Sequence, residues 1–186
     1  MRTINAREIT CMKCPQNETM RKTGKFLAET NVESPKWLSE EVNIINICET
    51  TIASFSSQAF PSITSGNNIV SILLTDDEKM RGLNKLYRNK VGTTNVLSFA
   101  NENQHTHSKN ILLGDIALSF TTVLKESTQS KISFINHVKH LLIHGCLHLI
   151  GFDHGTAIEA QRMEALEVDI LSKLGCLLYT SPSPRD

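Results

Sequence analysis

The run His144-Gly-Cys-Leu-His148-Leu-Ile-Gly151-Phe-Asp-His154 constrains this chain more than any other stretch. Leu141, Leu142, Ile143, Leu147, Leu149 and Ile150 make its surroundings almost wholly apolar, as a core helix requires. Side chains four apart stack on one helical face, so His144 stands beside His148. Gly151 can leave the helix in the left-handed conformation that closes many helices, and the chain then returns with His154. Three neutral imidazoles leave one position of a tetrahedral ion open, the pattern of a catalytic zinc site. A buried helix often holds one histidine for packing alone; three at this spacing call for a metal. The spacing is also that of the zincin peptidases, H-E-x-x-H-x-x-G-x-x-H. Gly145, however, stands where those enzymes carry their general-base glutamate.

Other metal-ligating residue types fit a ligand role less well. His140 and His137 extend the histidine face upstream and offer alternative ligand sets, which the spacing places outside the metal's ligands or in solvent. Cys146 lies off the ligand face and reads as a small core residue. Cys11-Met-Lys-Cys14 has no second pair at zinc-ribbon spacing and sits in a polar stretch, so it reads as free thiols. His105 and His107 belong to a polar loop and read as solvated. Asp153 either orients a histidine or caps the turn. Asp115 is a weaker candidate in mid-strand, and the general base stays unidentified.

With 186 residues and 40% hydrophobic content, one compact domain follows. Nineteen basic residues balance 19 acidic ones. Binding nucleic acid by bulk charge is thereby excluded, and any such contact needs a local patch. One exists: on the helix after Thr75, Arg81, Lys85 and Arg88 share a face beside the apolar stripe Met80, Leu83 and Tyr87. Three cations there suit a phosphate backbone, or simply a solvated surface. No stretch approaches the ~18 apolar residues of a membrane span. The N-terminus lacks the apolar core of a secretion signal, and five cysteines without a regular framework suit reduced thiols, so the expected location is the cytoplasm.

Residues 1–24 are polar and aperiodic and read as a disordered extension, with Met20 an alternative start. A helix is expected from near Lys36 to about Ser56, burying Trp37, Val42, Ile45 and Cys48, then a loop over 61–68. Ile69 to Leu74 reads as a strand, and Thr75-Asp-Asp-Glu as the cap of the next helix. Two further strands, Asn95 to Phe99 and Ile111 to Phe120, flank a polar loop. The histidine helix starts near Ser133, and a last helix spans Thr156 to Leu174. The fold class is α+β: a single domain with a small mixed sheet, flanking helices and a zincin-like metal site.

His-Gly-x-Leu-His-Leu-x-Gly-(aromatic)-Asp-His is the signature of the YbeY family of bacterial endoribonucleases, which this chain resembles from about Trp37 to Leu174. Leu83-Asn84-x-x-Tyr87-Arg88 with Thr94-Asn95-Val96-Leu97-Ser98-Phe99 is similar to the family's second block, and Leu113-Gly114-Asp115-Ile116 to its third. Met163 and Glu167 fit its closing helix. Two positions depart: the family usually has aspartate at Asn95 and proline at Ala100. The resemblance implies a single-strand-specific endoribonuclease domain over residues 25–175, acting in ribosomal RNA maturation (16S 3′ end processing) and ribosome quality control. It implies one zinc ion per chain, held by His144, His148 and His154. Arg88 is then the catalytic arginine in the active-site cleft, and the partners are an rRNA precursor and the ribosome or its small subunit, with no membrane. A zincin-type metallopeptidase and a ribosome-associated factor with a mainly structural metal are the competing readings. Residues 176–186 depart from the family, resemble a translated sequencing adapter, and read as a non-native or disordered tail.

Overall fold

The computed structural model describes residues 24–38, 42–55, 66–101 and 109–176. In chain order come β1 (Lys25–Val32), α1 (Ile44–Ala53), β2 (Asn67–Thr75), α2 (Asp77–Arg88), β3 (Val96–Ala100) and β4 (Asn110–Ser119). After them follow α3 (Phe120–Gln129), α4 (Phe134–Leu149) and α5 (Ala157–Lys173). The strands form one sheet in the order β1-β2-β4-β3, with β1, β2 and β4 parallel and β3 antiparallel to β4 at an edge. The small mixed sheet with flanking helices is the α+β architecture the sequence implies.

Alternation along the strands divides the interior. Val70, Ile72 and Leu74 of β2 face a large core shared with Cys48 and Ile52 of α1, Val123 of α3, Leu141 and Leu142 of α4, and Met163 of α5. Leu73, Leu97, Phe99 and Ala117 face the other way, beneath Met80 and Leu83 of α2. α4 packs on β3 and β4. The ends of both α2 and α4 reach the edge strand β3, which is what brings Arg88 and His148 to one cavity.

β4 changes parity once: Ile111 and Leu113 join the large core, and so do Ile116 and Leu118. The register with β2 supplies the extra residue, since Ile69 pairs with Leu112 but Val70 with Gly114. Gly114 has φ +150°, and a Cβ there would stand 2.2 Å from the Phe99 carbonyl oxygen. Only glycine lets β3 approach this closely.

Several local expectations need correction. The helix expected from Lys36 to Ser56 is a 3₁₀ turn at Pro35–Trp37 followed by a shorter α1, capped by Asn43, whose side chain accepts the Asn46 N–H. Trp37 therefore packs away from α1, against Phe120 and Phe134, and donates its indole N–H to the Thr75 carbonyl at 2.7 Å. Ile45, expected inside, is exposed; Ile44 takes the buried position. α2 is capped by Asp76, not Thr75, which ends β2. β1 and α3 were not anticipated: Lys25–Val32 alternates weakly apolar with polar residues, and Phe120–Gln129 is rich in Thr and Ser. Residues 1–23, 39–41, 56–65, 102–108 and 177–186 lie outside the described residues. With them lie the expected N-terminal extension and tail, the Cys11–Cys14 pair, most of the 61–68 loop, and His105 and His107.

Gly114→Ala tests the bulge. It should lower unfolding free energy by at least the ~1–3 kcal/mol typical of a residue held in an unfavoured backbone conformation. Chemical denaturation measures this, and an unchanged midpoint would show that β3 can yield without cost.

Candidate metal centre

The end of α4 fixes the site. Gly151, at φ +93°, donates its N–H to the His148 carbonyl, and Phe152 donates to Leu147, the paired bonds of a Schellman closure. The turn folds the Phe152 carbonyl back onto His148, whose Nδ1 lies 2.9 Å from it. A carbonyl only accepts, so that nitrogen carries the proton and Nε2 keeps its lone pair. His144 is fully buried, and its Nδ1 lies 2.7 Å from Glu167 Oε1. The carboxylate likewise holds the proton on Nδ1. The two bare Nε2 atoms then face each other at 3.2 Å. Two lone pairs so placed repel in the absence of a cation, and imidazoles bound tetrahedrally at ~2.0–2.1 Å hold their nitrogens roughly this far apart.

His154 completes the group. It is clamped between the Gly151 turn and α5, which starts with a capping box between Thr156 and Glu159. Its ring stacks on that of His144 with centroids 5.6 Å apart and lies 5.0 Å from that of His148. Its Nε2 is buried and has no hydrogen-bond partner among the described residues. One ligand atom from each of the three histidines lies within 4.8 Å of the others. Among the described residues this is the only set of histidine, cysteine, aspartate or glutamate side chains so grouped. The donor set suits a borderline divalent ion such as zinc, with three imidazoles and an open side toward the cavity.

His137 and His140 lie outside this group, and neither is in solvent: both are almost fully buried. His137 Nε2 meets Glu126 Oε2 at 2.8 Å, and His140 Nε2 meets Glu167 Oε2 at 3.1 Å. Burial holds His140 below the usual histidine pKa, against the opposing pull of Glu167. Cys146 is a core residue whose thiol burial pushes far up, hence inert.

Glu167 escaped sequence reasoning as a functional residue. It is 2% exposed, and its two oxygens divide between His140 and His144. Burial works to raise its pKa, but the two histidine hydrogen bonds together outweigh it and hold the carboxyl at about 2. The missed signal was a glutamate inside the buried stripe Met163, Glu167, Ile170, where α5 meets the core.

A cavity of about 260 Å³ opens beside the histidines, lined by Arg88, Leu97, Ser98, Ala100, His148, Leu149, Asp153 and His154. Asn84 secures the end of α2: its carbonyl accepts the Asn89 and Lys90 N–H groups, and its side chain bonds the Gly92 carbonyl. Arg88 is half-buried and has no carboxylate partner among the described residues. Arg81 and Lys85 are exposed and do not line the cavity, so the three-cation face divides. Asp153 caps the turn, accepting the His154 N–H at 2.8 Å, and among the described residues is the only carboxylate lining the cavity. Asp115 is exposed and outside it. Asn95 donates to Glu126 Oε2 at 2.9 Å and accepts the Val96 N–H, a structural role in which an amide serves well. No helix among the described residues is long and apolar enough to cross a membrane.

The sequence profile of the family described as Endoribonuclease YbeY matches residues 29–175. Relatives named Endoribonuclease YbeY are similar over most of their length. That of Rhodopseudomonas palustris is 35% identical, over 84% of this chain and 82% of its own. That of Magnetococcus marinus is 44% identical, over 57% of this chain and 78% of its own. That of Ruthia magnifica is 38% identical, over 72% and 93%.

The Glu167 geometry predicts that Glu167→Gln weakens zinc affinity by ~10–100-fold, the usual cost of losing such a supporting carboxylate. An amide offers one acceptor where two N–H groups need one each. Competition against a chromophoric chelator measures it, and an affinity within twofold of wild type would assign Glu167 to packing alone.

Proposed function

We propose, for a chain that belongs to the YbeY endoribonuclease family, a metal-dependent endoribonuclease that cuts single-stranded RNA in ribosomal RNA maturation. The observation that carries this reading is Arg88, which makes no ion pair with a carboxylate among the described residues and lines the same cavity as His148 and His154. A guanidinium on the wall of an open cavity suits an anionic ligand, and a phosphodiester is such an anion.

His144, His148 and His154 would hold one zinc ion through their Nε2 atoms. What a zinc ion supplies in such a site is Lewis acidity and a coordinated water acidified to a pKa of ~7. Arg88 binds the scissile phosphate by two parallel N–H bonds and neutralises charge growing on its oxygens in the transition state. Asp153 lines the same cavity and is the candidate to accept a proton there. Leu97, Ala100 and Leu149 give the cavity apolar walls that sharpen the electrostatics. Substrate is an rRNA precursor, with the 16S 3′ end as the cleavage region, the ribosome or small subunit as partner, and the cytoplasm as location. Ribosome quality control belongs to the same reading.

The zincin spacing favours a peptidase, and Gly145 opposes it for a spatial reason as well as a chemical one. A Cβ at 145 would stand 2.9 Å from Ser98 Oγ and 3.0 Å from Ile116 Cδ1. Residue 145 thus points at Ser98 and Ile116 of the sheet, and a glutamate there would have to displace both side chains. A mainly structural metal is opposed by the open side of the histidine group.

Incubating zinc-loaded protein with single-stranded RNA and with casein separates these readings. RNA fragments that vanish in His148→Ala, together with the metal, are the expected result; casein cleavage without RNA cleavage would overturn it. Arg88→Ala should slow cleavage by ~10²-fold or more, with metal content and melting temperature retained. Arg88→Lys should recover only part, because an ammonium cannot make the paired contact. Undiminished cleavage by Arg88→Ala would remove the arginine from the mechanism.

A further inference from the structure

Tyr87 precedes Arg88 in α2 and leaves its ring in water, 62% exposed. The ring packs against Phe99 of β3, with centroids 4.8 Å apart and planes inclined by 53°. Phe99 is itself anchored, packed against the buried cluster of Met80, Leu97 and Ala117. Two cavity-lining residues adjoin the pair: Arg88 follows Tyr87 in α2, and Leu97 shares the face of the sheet on which Phe99 packs. Folding has therefore placed an aromatic ring, backed by a second ring, at the end of the helix that carries the cavity-lining Arg88, with much of its surface open.

We propose that Tyr87, supported by Phe99, is a stacking platform for one unpaired nucleobase adjoining the phosphate bound at Arg88. The proposal rests on the reading of the cavity as an RNA site and extends it to a base subsite. Each base is tethered within a nucleotide of its phosphate, so a strand whose phosphate meets Arg88 carries a base past the neighbouring residue. Stacking on an aromatic face accepts every base, because each has a π-face, and it needs a base free of its own helix stack. A duplex keeps its bases stacked on each other and gains nothing there. The platform would thereby favour single strands without reading sequence. Arg88 beside it supplies the charge that a neutral ring lacks, the usual partnership of cation and aromatic surface in single-strand binding. A simple hydrophobic cover for Phe99 would require apolar area alone, and leucine provides that.

The test compares wild type, Tyr87→Phe and Tyr87→Leu on a single-stranded oligoribonucleotide and on versions with an abasic nucleotide on either side of the cleaved phosphate. KM for cleavage and Kd at low temperature in the absence of metal are both read, with melting temperature as the folding control. Tyr87→Leu should raise KM and Kd by roughly 5- to 100-fold, the range of one lost base stack, while Tyr87→Phe stays near wild type. On one abasic substrate wild type should fall to the level of Tyr87→Leu, and the two should become indistinguishable. Equal KM for wild type and Tyr87→Leu on intact RNA would overturn the proposal and leave Tyr87 as a cover or a protein contact. So would a Tyr87→Leu defect that persists undiminished on both abasic substrates. If Tyr87→Leu does not fold, wild type decides alone: the same KM on intact and both abasic strands overturns the platform. A wild type that neither binds nor cleaves any of these strands overturns the parent reading with it.

Discussion

The carboxylate of Glu167, shared between His140 and His144, is the interaction on which the rest of the structure leans. A buried carboxylate or an unpaired buried imidazole would each destabilise the core, and together they satisfy one another. The arrangement ties α5 to the middle of α4, where Met163, Ile170 and Leu171 add apolar burial around the polar knot. It also decides which nitrogen of His144 carries the proton. That single choice turns a packed histidine into a candidate ligand with its lone pair directed at His148 and His154.

Position 145 shows how packing and chemistry can be one constraint. A side chain there would have to displace Ser98 Oγ and the end of Ile116, and the same glycine removes the base that peptide hydrolysis needs. In the same cavity, the secured end of α2 holds an arginine that pairs with no carboxylate among the described residues. On the proposed reading, a histidine group and a guanidinium lining one cavity together suit an anion. A phosphodiester fits that description better than a peptide.

Much of this was legible in the sequence because it depends on local periodicity. The i, i+4 spacing of His144 and His148, the glycine turn and the return of His154 follow from helix geometry, and the structure brings those residues together. What was not legible depends on distant pairing. The partners of His137 and His140 lie in α3 and α5, so nothing within α4 reveals that they are buried and hydrogen-bonded. β1 escaped because an edge strand with one inward face carries little apolar signal. Trp37 was assigned to α1 on spacing, but Pro35 starts a separate 3₁₀ turn before it. Of the basic face on α2, spacing could group Arg81, Lys85 and Arg88 yet not show that only the last reaches the cavity.

The central claim is that three imidazoles, and no thiol, would hold a metal beside the cavity that Arg88 lines. X-ray absorption at the zinc edge of the loaded protein tests it most directly. The account predicts one zinc per chain with three imidazole nitrogens and one oxygen at ~2.0–2.1 Å. A sulfur scatterer at ~2.3 Å, or a closed shell of four imidazoles, would contradict it.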